Sequence, residues 1–205
     1  MSTASAGTET RIEAQPSGAK GICSMRGALG ALLLLLALPI TIAVQILAPD
    51  SGEVVIHVAL AIGTFLIGQS VFDYRTPRWL NLTACLAATV LAAIFLAQGL
   101  GALTQSEVLR NAAYSREIGA WAEDVTLTIV MLWFVAMATT FHRGLTMWLG
   151  VSSAGAVAIL SMWALIAGPA TGTPEALRLL FVLPIAWYLF VTTRRSSPRE
   201  SGLGH

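Results

Sequence analysis

Charged side chains are scarce in this sequence: Asp, Glu, Lys and Arg together make up 11% of 205 residues, against 56% hydrophobic. That leaves too little polar surface to cover a water-soluble globule of this size, so lipid must supply part of the solvent. Alternation of apolar and polar positions is missing as well. A transmembrane β-barrel would show it in strands of roughly ten residues, whereas the apolar stretches here run unbroken for about 16 to 23 residues. The membrane segments are therefore expected to be helical. Cysteine is almost absent, with Cys23 before the first apolar run, Cys85 inside the third, and no C-x-x-C. One thiol is in water and the other in the bilayer, so neither a disulfide nor a thiolate metal site is expected. No long basic run points to a nucleic-acid partner. Nor is there a nucleophile elbow, a phosphate-binding glycine loop, an H-E-x-x-H or a carboxylate-rich intramembrane signature, so an enzymatic role has no specific support.

What is present is a series of six apolar spans, reading as an all-α bundle of six transmembrane helices over residues 27–193. The spans run from Ala28 to Ala48, Val54 to Phe72, Trp79 to Ala97, Val125 to Phe141, Leu145 to Ala167 and Ala176 to Thr192. Each can cross about 30 Å of hydrocarbon, the last only just. Residues 1–26, rich in Ser, Thr, Ala and Gly with mixed charge, read as a disordered tail, and 194–205 as a second tail. The first span is too long for a signal-peptide core and lacks a convincing cleavage site. Pro39 within it predicts a kink. Links carrying Pro, Gly and charge are short enough to make sequence neighbours antiparallel partners. The exception is 98–124, where Ser106 to Ala120 reads equally as a short surface helix or a disordered loop.

Counting basic residues orients the bundle. With both termini in the cytoplasm, nine basic residues lie inside and three outside; the inside then carries four acids and the outside seven, a net +5 against −4. Trp79 and Trp148 fall at the inner boundary and Trp121 and Trp163 near the outer one, where interfacial anchors belong. Eleven Arg to one Lys, with the Ala and Leu bias, suggests a GC-rich bacterial genome and hence a bacterial plasma membrane. No inverted repeat of three helices is evident, which weakens a transporter reading.

Polar groups within the membrane are costly and so mark candidate sites. Gln45, His57, Gln98, Glu123 and Asp124 fall at one depth, the outer boundary, and Thr128 shares a helix face with Asp124 through i, i+4 spacing. Together they form a tentative ligand-binding set that could hold a small or amphiphilic molecule. His57 with Asp124 would be the metal ligands if any metal is bound. The plainer reading is that helix ends meet water and tolerate such residues. A bis-His haem is disfavoured because His142, the other membrane histidine, sits at the opposite boundary. A His and Met haem, or another metal redox role, is the weakest alternative, and no cofactor is expected. On the inner side, Phe72 to Trp79 with Asn81 reads as a structural anchor, with a lipid head group or cytoplasmic partner as the alternative. The leading functional expectation is binding or transport through the outer cluster. The alternative is a non-catalytic accessory subunit, whose partners beyond the lipid bilayer would be other membrane subunits or further copies of this chain. Glycines 63, 68 and 150 would then mediate assembly.

Overall fold

The computed structural model describes residues 20–47, 52–74, 76–106, 118–140, 144–167 and 179–196. Six helices run through them: α1 (Lys20–Leu47), α2 (Gly52–Ser70), α3 (Arg78–Thr104), α4 (Ile118–Thr139), α5 (Leu145–Ala167) and α6 (Val182–Ser196). One 3-10 turn, Val71–Asp73, follows α2 and another, Leu179–Phe181, leads into α6; no strand occurs among the described residues.

Apolar length decides which helices can cross a bilayer. The segments Gly52–Asp73, Arg78–Thr104, Trp121–Thr139 and Leu145–Ala167 are long and apolar enough, and α1 makes a fifth if its two arms count as one span. Those arms, Met25–Ala37 and Pro39–Leu47, meet at a bend of 48°. The proline ring displaces the carbonyl four residues back and removes one amide donor, so the expected kink is present. The apolar part of α6, Val182–Thr193, is shorter than these. The chain is thus an all-helical membrane protein with several spans.

Several boundaries differ from the sequence reading, among them the sixth span, expected from Ala176 to Thr192 and found as a 3-10 turn at Leu179–Phe181 followed by a helix from Val182 to Ser196. Helix α1 already begins at Lys20, inside the stretch read as a tail. Helix α3 continues through Gln98 to Thr104, where Gln105 closes it in the left-handed conformation (φ 50°). Gly99–Thr104 is apolar enough to continue the helical turns, and a helix need not stop where hydrocarbon ends. Helix α4 begins at Ile118, so Glu123 and Asp124 lie in its second turn rather than at its start. The connection between α3 and α4 is correspondingly shorter than 98–124. Most of the segment read as a surface helix or loop, 107–117, lies outside the described residues.

The helices pack in sequence order, each on the next, and α6 returns to α1, so the bundle closes as a ring. Lipid tails are as apolar as leucine, so close packing rather than the hydrophobic effect must hold such helices together. The α1–α2 seam illustrates this: a Cβ added at Gly30 would stand 2.7 Å from the Gly63 carbonyl oxygen, and one at Gly63 would stand 2.9 Å from that of Gly30. Only glycine lets the two backbones approach so closely. Ala61, Thr64 and Gly68, small residues at three- and four-residue spacing on α2, are buried, and Gly68 meets Ala88 of α3. Bulk fills the centre instead: Met131, Trp133, Phe134 and Met137 of α4 and Ile185 and Tyr188 of α6 are fully buried. Leucines such as Leu29, Leu82, Leu86 and Leu149 point outward, as lipid-facing positions should.

Candidate functional site: an outer polar seam and a buried hydroxyl network

Among the residues singled out at the outer boundary, His57 of α2 packs against α3 at Gly99, the neighbour of Gln98 in sequence. His57, half-buried one turn into α2, has its Nδ1 2.7 Å from the Glu53 carbonyl oxygen. A carbonyl only accepts, so Nδ1 donates in this bond. Across the seam, Gln98 is buried on α3, and a Cβ on the next residue, Gly99, would lie 3.2 Å from the His57 Cβ. The absence of a side chain at Gly99 thus lets α2 approach α3 at the His57 Cβ. Gln45, exposed in the last turn of α1, rests against Gly52 at the start of α2.

Glu123 and Asp124 are half-buried on α4. Thr128 does share the face of Asp124, but its hydroxyl donates to the Asp124 backbone carbonyl at 2.7 Å. The link is the back-bonding typical of threonine in a helix, not a contact with the carboxylate. Among the described residues no three His, Cys, Asp or Glu side chains gather closely enough to hold a metal. His57 and Asp124 therefore gain no third ligand there, and His142 lies outside the described residues.

A second polar constellation, largely unforeseen, occupies the opposite end of the bundle. Tyr188 of α6 is fully buried, with its hydroxyl 2.6 Å from Ser70 Oγ at the end of α2. Ser70 donates in turn to the Ile67 carbonyl at 2.7 Å, which leaves the Tyr188 hydroxyl as the donor between the two. Tyr74, just past α2, donates to Tyr188 at 3.3 Å. Gly27 of α1 makes room for this pair: a Cβ there would meet the Tyr188 hydroxyl and stand 2.8 Å from Ser70 Oγ.

Beside it, Asn81 in the first turn of α3 accepts from the Trp133 indole at 2.8 Å and also bonds the Thr76 hydroxyl. Edge-to-face contacts join the two halves, with ring centroids 5.5 Å apart for Tyr74 and Trp133 and 5.0 Å for Phe134 and Tyr188. Such geometry suits the ring quadrupoles. No fully buried side-chain nitrogen or oxygen among the described residues lacks a partner. A network so completely satisfied fixes helices α1, α2, α3, α4 and α6 against one another.

The sequence pointed to part of this network. The Phe72 to Trp79 loop and Asn81 were expected to anchor the inner side, and Tyr74, Thr76 and Asn81 belong to it. Ser70, Trp133 and Tyr188 were missed, because a lone serine, tryptophan or tyrosine in an apolar run gives no periodic signal. One usable hint lay in the tryptophans. The four read as interfacial anchors, Trp79, Trp121, Trp148 and Trp163, are exposed, whereas the two that fitted neither boundary, Trp133 and Trp187, are buried and each donates a hydrogen bond.

No protein-family model matches the chain, and no similar protein was found among curated proteins or solved structures.

Proposed function

We propose that this chain crosses a bacterial plasma membrane six times with both termini in the cytoplasm, and that it binds a small or amphiphilic molecule at the outer end of the bundle. The observation that carries the binding reading is the α2–α3 seam, where Gly99 seats His57 against α3 beside the buried Gln98. An imidazole and an amide on facing helices are the kind of polar groups that a site for an amphiphile uses. Polar side chains within membrane segments are costly and so mark candidate sites, which is the support for giving Gln98 a role. Gln45, Glu123, Asp124 and Thr128 lie on the neighbouring helices and would contribute charge and polarity around that seam.

The accessory-subunit reading drew on glycine faces free to meet a partner. Gly63, Gly68 and Gly150 instead meet Gly30 and Leu34, Ala88, and Trp187 and Ala138 of the same chain, which removes that argument. A metal or redox role has no ligand cluster in its favour among the described residues.

The test is native mass spectrometry of protein released from mild detergent, comparing the wild type with His57→Ala and Gln98→Leu. A bound amphiphile near one per chain, lost in both variants while helicity is unchanged, is the expected result. Equal loading of all three proteins would overturn the assignment of this seam.

A further inference from the structure

Helices α5 and α6 meet at one level and part elsewhere. At that level Trp187 covers Gly150 and donates its indole N–H to the Thr146 carbonyl at 2.7 Å. Beside this contact, on the outer surface of the bundle, a groove of about 540 Å³ lies between the two helices, within the size range of sites that hold a small ligand. Its walls are Leu149, Ser152, Ser153 and Ala156 of α5, and Leu180, Leu183, Trp187 and Phe190 on the α6 side. The serines do not make it polar: Ser153 donates to the Leu149 carbonyl at 2.6 Å and Ser152 to the same oxygen at 3.4 Å.

We propose that this groove is a binding site for one anionic phospholipid, an acyl chain lying in the groove and the phosphate at the C-terminal end of α6. Two features select this occupant. From Leu180 to Phe190 the wall spans roughly 15 Å at 1.5 Å per residue, half of a hydrocarbon core of about 30 Å, so its length suits one leaflet's acyl chain. Charge then sets the direction. Arg194 and Arg195 end the apolar part of α6 one turn beyond Phe190, and basic residues at a membrane boundary attract anionic head groups. Beyond the opposite end of the groove, next to Leu180, the sequence carries Glu175 and Arg178, whose charges cancel, against the two arginines that follow Phe190.

Delipidated protein in mild detergent is titrated with palmitoyl-oleoyl phosphatidylglycerol or the matching phosphatidylcholine, and lipids retained per chain are counted by native mass spectrometry. The wild type should retain one phosphatidylglycerol, preferred roughly tenfold over phosphatidylcholine. Ala156→Trp, which fills the groove, should lose that lipid, whereas Leu132→Trp on an exposed face of α4 should keep it. Replacing Arg194 and Arg195 with Gln should erase the head-group preference. If Ala156→Trp does not fold, Ser152→Phe, at an exposed position on the same wall, replaces it. Equal retention by the groove variants and the wild type, or a chain dimer that the groove variants abolish, would overturn the proposal; the dimer would mean that a second copy covers the groove.

Discussion

The Tyr188 hydroxyl and Ser70 Oγ lie 2.6 Å apart, and this one hydrogen bond links the last helix of the bundle to the end of the second. Gly27 of the first helix leaves the space in which they meet. Ring closure is therefore specified by three residues of ordinary type, far apart in sequence, whose side chains and one missing side chain coincide in space.

Tyr188→Phe should weaken closure without filling or emptying space. It removes the donor to Ser70 and the acceptor of Tyr74, and a net loss of about 1 kcal/mol is expected. Gly27→Val should cost more, since its side chain would overlap the hydroxyl pair itself. Denaturation in mixed micelles checks both, with the order Gly27→Val below Tyr188→Phe below wild type.

Asn81 is the acceptor for the buried Trp133 indole, so Asn81→Leu should leave that N–H without a partner and destabilise by about 1–3 kcal/mol. Trp133→Phe in the same background removes the orphaned donor. The second substitution should then cost less than it does alone, and a double-mutant cycle reads that coupling directly.

At Gly150 a side chain would run into the Trp187 ring and lie 2.8 Å from the Ala138 Cβ, so Gly150→Leu should separate α5 from α6 and α4. Trp187 would lose its hold on the Thr146 carbonyl. The expected readout is a lower melting temperature together with a changed tryptophan emission, which Gly155→Leu should not show because open space surrounds that position.

Fold class was legible because the bilayer imposes it: long unbroken apolar runs with few charges admit little besides helices. Pro39 announced its kink for the same local reason. Helix ends were less legible. Gly99 to Thr104 and Ile118 to Asp124 are compatible with both helix and loop, and the helix prevails by extending past the apolar run. For the outer residues, spacing along the spans predicts a common depth and says nothing of their contacts. Nothing in the spacing of His57 and Gln98 shows that Gly99 brings their helices close, because that approach depends on the packing of two separate runs. The Tyr188 network was hidden more deeply, since single hydroxyls in apolar segments acquire meaning only once the ring has closed.

The proposed outside location of the His57 and Gln98 seam rests on a cytoplasmic N-terminus, and the cytoplasmic C-terminus on a sixth crossing, the shortest: the apolar part of α6 is only Val182–Thr193. Single-cysteine labelling tests it most directly. With Cys23 and Cys85 replaced by Ala, cysteines are introduced one at a time at Ser51, Gln105 and Ser201, and intact cells are treated with a membrane-impermeant maleimide. Six crossings with cytoplasmic termini predict labelling at positions 51 and 105 and none at 201 until the cells are opened. Labelling at 201 in intact cells would mean that α6 does not cross. Protection at 51 and 105 would invert the bundle and place the proposed site in the cytoplasm.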